Sequence, residues 1–86
     1  MYRILFSRKA EKHKALLKQT SLDAKARSLL NLMLDNPFQN PPPYEKLVGD
    51  LKGTYSRRIN HQHRLVYTVN TDQREIFVLS MWTHYE

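Results

Sequence analysis

Three arginines fall within the stretch Gly53–Tyr67, GTYSRRINHQHRLVY: Arg57, Arg58 and Arg64, with Tyr55, His61, His63 and Tyr67 between them. Arginine is costly on a strand unless its charge meets a partner, so this density points to a phosphate-binding pair. Arg58 and Arg64 share parity across the Asn60–His63 turn and should present their side chains to one face of a hairpin. Alternation sends Arg57 the other way, where it is read as facing solvent or a partner. Glu45 follows a run of prolines, and His84-Tyr85 comes just past the last apolar stretch. A sheet face that collects a carboxylate, two guanidiniums, an imidazole and a phenol has the parts to cleave RNA through the RNA's own 2′-hydroxyl. That reaction needs a general base for the hydroxyl, cations for the phosphorane and a general acid for the 5′-oxygen. It needs no metal, and DNA lacks the nucleophile.

Each residue also has a plainer reading. Glu45 can be an ordinary surface carboxylate, and Arg57-Arg58 a charge device on an edge strand. His61 and His63 lie in a turn with no cysteine and no nearby acid, so they are read as turn histidines rather than a metal pair. Tyr55, Tyr67, Phe77 and Trp82 suit a core or an interface. No residue carries the chemistry alone; the combination does.

The elements that must position these groups can be read in order. Tyr2–Phe6 is aromatic and β-branched, a short strand with Tyr2, Ile4 and Phe6 on one side. Ser7 caps a helix that runs to about Gln19, with Ala10, Leu17 and His13 as a thin apolar stripe. Ser21 caps a second helix, where Leu22, Ala26, Leu29, Leu30 and Met33 recur at helical spacing and Asp23 complements the dipole. Asn36–Tyr44 contains four prolines, which favour a stiff, extended connector. After Glu45 the period changes to two. Strands are expected over Tyr55–Asn60, Arg64–Asn70 and Arg74 to about Trp82, joined by short links. The order is β-α-α-β-β-β: an α+β fold with two N-terminal helices on one face of an antiparallel sheet, which the first strand can join.

Length and charge narrow the classes. The chain has 86 residues, which suits a single domain over 1–86. It has no cysteine, so disulfides and thiolate metal sites are excluded, in keeping with a reducing cytoplasm. No run of about 18 apolar residues is present to span a membrane, and Met1–Phe6 turns polar too soon for a secretory signal. The net charge is +6. Residues 1–30 hold eight basic and two acidic side chains, while the remainder balances. That asymmetry points to a polyanion or an acidic protein partner.

The segments Ser56-Arg-Arg-Ile-Asn60, His63-Arg-Leu-Val-Tyr67 and His84-Tyr85, with Pro43-Tyr-Glu-Lys-Leu47 ahead of Gly49–Gly53, resemble the YoeB/Txe toxins of bacterial toxin–antitoxin systems, in the RelE/ParE superfamily. The resemblance implies a microbial-RNase-like fold and cleavage of mRNA in the ribosomal A site, which inhibits translation. It implies contacts to rRNA, inhibition by a cognate antitoxin of the YefM/Phd type, and homodimers. It gives Glu45 the role of general base, His84 general acid and Arg64 phosphate stabiliser, with Arg58 a further phosphate contact and Tyr85 a substrate holder. Two positions depart from the family pattern. Val48 stands where a lysine is frequent, so one cation is either missing from the site or supplied by Lys46 or Lys52, and Trp82 stands where an arginine is frequent. The competing readings are a non-catalytic toxin of the ParE branch and a basic RNA- or protein-binding module.

Overall fold

The computed structural model describes residues 1–49 and 53–82. Strand β1 spans Arg3–Phe6, helix α1 Arg8–Leu17 and helix α2 Leu22–Asp35. Strands β2 (Tyr44–Lys46), β3 (Thr54–Arg58), β4 (Arg64–Asn70) and β5 (Glu75–Ser80) follow. They form one sheet in the order β1-β5-β4-β3-β2. All neighbouring strands are antiparallel except β1 and β5, which pair in parallel. The expected α+β fold holds, with two additions. Tyr44–Lys46 is a fifth strand on one edge, and β1 makes the sheet mixed. A three-residue strand is too short to give a period, and a parallel partner far away in sequence leaves no local signal.

Ser7 does two jobs at the start of α1. Its Oγ accepts from the Ala10 N–H at 3.0 Å, capping the helix, and donates to the Leu79 carbonyl at 2.9 Å, tying the helix to β5. Ser7→Ala removes the cap and orphans a carbonyl. It should lower unfolding free energy by about 1–2 kcal/mol, read from the midpoint of urea denaturation; an unchanged midpoint would remove Ser7 from the account. At α2 the cap is not Ser21, whose side chain makes no capping bond. Thr20 takes its place: its Oγ1 accepts from the Leu22 N–H and donates to the Leu17 carbonyl, joining the end of α1 to the start of α2.

Both helices cover one face of the sheet. Ala10, Leu17, Ala26, Leu29 and Met33 meet Leu65, Tyr67, Ile76, Val78 and Met81 in a single cluster, with Tyr2, Ile4 and Phe6 packed at its edge. The strand limits have local causes. The β3–β4 link closes where Asn60 Oδ1 accepts from the Gln62 and His63 amides, so β3 ends at Arg58 rather than Asn60. Arg74 has a φ of 55°, outside the extended region, so β5 starts at Glu75. Between β4 and β5 the register slips. Val66 faces Ser80 while Tyr67 faces Val78, which leaves Leu79 as an extra residue.

The proline-rich segment is not a stretched spacer. It folds around Arg57, which is 1% exposed. The guanidinium donates to the carbonyls of Pro42 at 2.6 Å, Pro37 at 2.9 Å and Gln39 at 2.8 Å, and lies over the Tyr44 ring. Tyr67 donates its hydroxyl to the Pro37 carbonyl at 3.1 Å, and burial raises its pKa above the usual tyrosine value. Phe38, Tyr44, Tyr55 and Tyr67 stack edge-on and tilted beside it, with centroids 5.2–5.9 Å apart. The solvent- or partner-facing placement of Arg57 is therefore overturned. Alternation does set it opposite Arg58, but that opposite face is the one covered by the helices and the loop.

Candidate active site

The uncovered face of the sheet carries the candidate groups. Arg58 and Arg64 are register partners across β3 and β4, as their parity requires. Glu45 on β2 is the register partner of Ser56, two residues before Arg58 and on the same face. The Glu45 Oε1–Arg64 Nη1 separation is 3.3 Å. Pro43, Tyr44, Glu45, Ser56, Arg58 and Arg64 line one hollow of about 230 Å³. The structure thus brings together three of the residues expected from sequence. It sets Lys46 apart: as the neighbour of Glu45 and partner of Tyr55, Lys46 belongs to the opposite face. Lys52, His84 and Tyr85 lie outside the described residues.

Access and pairing suit a working set rather than a structural one. The Glu45 side chain is 69% exposed, and Arg58 is exposed with no ion-pair partner among the described residues. A salt bridge this open contributes about 0–1 kcal/mol, so a phosphate can displace the carboxylate from Arg64. Two guanidiniums facing one hollow can then hold phosphate oxygens in charge-assisted hydrogen bonds, and the carboxylate beside them is free to accept a proton. Ser56 also lines this hollow, its Oγ buried and without a hydrogen-bond partner among the described residues. A groove of about 540 Å³ between α2 and the proline segment shares Pro43 and Arg58 with the site. Its remaining walls are Leu29, Leu32 and Pro42, with Lys25, Ser28 and Asn60.

Sequence reasoning missed two histidine contacts. His63 is 7% exposed, with Nδ1 2.5 Å from the Trp82 carbonyl oxygen and its ring stacked on the indole at 4.4 Å. His13 Nδ1 accepts from the Met81 N–H at 3.0 Å. Burial, and then the charge of Lys9, hold the His13 pKa below its usual value and keep that nitrogen's lone pair free. The polar run Asn60–Arg64 carries no local signal that sets His63 apart from His61. Among the described residues, no three of His, Cys, Asp or Glu stand close enough to hold a metal ion. No described helix is long and apolar enough to cross a membrane.

Comparison with known proteins follows the same lines. The family model described as a YoeB-like toxin of bacterial type II toxin–antitoxin systems matches residues 6–85. A Synechocystis protein named toxin YoeB is 37% identical over 73 residues, covering 85% of this chain and 76% of its own. Among solved structures, a YoeB–YefM heterotetramer from Staphylococcus aureus contains a chain that is 36% identical with a TM-score of 0.83, covering 99% of both chains. A YoeB dimer from the same organism is 37% identical with a TM-score of 0.82, covering 98% of both.

Proposed function

Because the chain belongs to the YoeB-like toxin family of bacterial type II toxin–antitoxin systems, we propose that it is a ribosome-dependent endoribonuclease that inhibits translation by cutting mRNA in the A site. The observation that carries this reading is the grouping of Glu45, Arg58 and Arg64 in one open hollow. Glu45 takes the proton from the 2′-hydroxyl. The 2′-oxygen attacks phosphorus, and charge builds on the non-bridging oxygens facing Arg64 and Arg58. The bond to the 5′-oxygen breaks as His84 donates a proton to it, while Tyr85 holds the substrate. The products are a 2′,3′-cyclic phosphate and a 5′-hydroxyl, and the nucleophile is the substrate's own group.

The adjoining groove extends this reading. Arg58 and Pro43 line both hollows, so the nucleotide next to the cut phosphate has apolar walls and the Lys25 cation beside it. The basic first 30 residues suit rRNA phosphates, which makes ribosome binding salt-sensitive. The Staphylococcus aureus relatives are found with YefM and as a dimer. For this chain we propose a YefM/Phd-type antitoxin as the inhibitor, homodimer formation, and action in the cytoplasm with no membrane partner.

Primer extension on mRNA in a translating extract tests the reading. Wild-type protein should cut within the A-site codon, and Glu45→Ala with His84→Ala together should abolish the cut. Cleavage that survives the double substitution would sink the assignment. DNA damage with intact mRNA would move the protein to the non-catalytic ParE type.

A further inference from the structure

Two histidines outside the proposed reacting set converge on consecutive residues at the end of β5. His13 comes from α1 and meets the Met81 N–H; His63 comes from the β3–β4 turn and meets the Trp82 carbonyl. An amide N–H can only donate, so His13 Nδ1 holds a lone pair and its proton sits on Nε2. A carbonyl can only accept, so His63 Nδ1 carries a proton. The two rings are thus locked in complementary roles on one short piece of backbone. Each is itself held. The His63 amide donates to Asn60 Oδ1 at 2.6 Å, its carbonyl accepts from the Ile59 N–H at 2.9 Å, and its ring face lies on Trp82. His13 sits on the buried stripe of α1 between Ala10 and Leu17.

We infer that His13 and His63 are positioning residues: their hold on the backbone at Met81–Trp82, two residues ahead of His84 in the sequence, sustains proton donation by the general acid. The inference rests on the proposed reaction. Its physical basis is leverage. His84 follows Trp82 by two residues in the sequence, and two residues of chain span at most about 7 Å. A misplacement of about 1 Å costs on the order of 100-fold in rate. Glu45 on β2 and Arg58 on β3 make none of these contacts to Met81 and Trp82; Arg64 directly follows His63, and the double variant with His84→Ala separates an effect through Arg64 from one through His84.

The test is a set of His63 variants assayed on programmed ribosomes. His63→Ala should lower kcat at least about tenfold and leave KM within about twofold, because binding is kept and only the transition state loses a group. Asn places an amide N–H where Nδ1 stood, whereas Gln places it where Nε2 stood. His63→Asn should therefore recover most of the rate and His63→Gln should not, which keeps the test valid even where the alanine variant fails to fold. His13→Asn, which offers Oδ1 as an acceptor, should likewise outperform His13→Ala.

Combination with His84→Ala separates this inference from the reaction itself. If His63 acts through His84, the double variant His63→Ala/His84→Ala should be no slower than His84→Ala alone. A full multiplicative loss, equal rates for the Asn and Gln variants, or a rise in KM in place of the fall in kcat would each overturn the positioning role. If His84→Ala alone cuts at the wild-type rate, the acid assignment in the proposed function fails. The placement role then falls with it, whatever the His63 variants do.

Discussion

Arg64→Ala is expected to slow mRNA cleavage by about 10²- to 10³-fold, the loss typical of one preorganised donor to a developing oxyanion. The fold should survive. Among the described residues Arg64 forms an ion pair with the exposed Glu45 alone, and such a pair contributes about 0–1 kcal/mol. The decisive measurement is therefore a ratio: single-turnover cleavage on the ribosome against the urea midpoint of the same preparation. A large rate loss with an unmoved midpoint is the expected result. Arg64→Lys should recover only part of the rate, because an ammonium lacks the planar fork that meets two phosphate oxygens together. Wild-type cleavage by Arg64→Ala would remove this residue from the site and leave Arg58 as the phosphate cation among the described residues of the open face.

The opposite pattern is expected one strand away. Arg57→Ala should cost about 3–5 kcal/mol of stability, since each buried carbonyl left without its donor costs about 1–3 kcal/mol. Three carbonyls lose their donor together, and the ring of Tyr44 loses the group it lies against. A domain of this size has roughly 5–15 kcal/mol in all, so the variant should lose a large share of its stability, as a lowered thermal midpoint followed by circular dichroism would report. Any loss of cleavage in it would follow loss of the native state. A stable Arg57→Ala protein with wild-type midpoint would mean that the proline segment holds its shape without the guanidinium.

These neighbours mark how far the sequence could be read. The helices were legible because Leu22, Ala26, Leu29 and Met33 repeat at helical spacing, and the Arg58–Arg64 pair was legible because strand parity carries across a short turn. Parity gives two faces but does not say which one is covered, and that is where Arg57 was misplaced. The composition did hold the clue. Four prolines within 37–43 supply carbonyls without N–H groups, so the segment cannot satisfy itself and must import donors. Arg57 is that import. The Glu45–Arg64 contact was not legible, since it depends on β2, whose three residues carry no period. The grip of His13 and His63 on the backbone of residues 81 and 82 depends on tertiary placement, and no spacing rule encodes it.

The extra residue in β5 has a consequence for what can vary. Side chains alternate along a strand, so removing one position would turn everything after it over. With Leu79 present, Val78 faces the core opposite Tyr67, and Ser80 lies opposite Val66 on the other face, where both are buried. Two residues past Ser80, the backbone reaches both histidines. Position 79 is therefore constrained as a length and not as a letter. Other apolar side chains fit there, since its carbonyl, which Ser7 uses, belongs to every residue type. A deletion would disengage the capping serine, the core face of Met81 and the stacking of Trp82 in a single step.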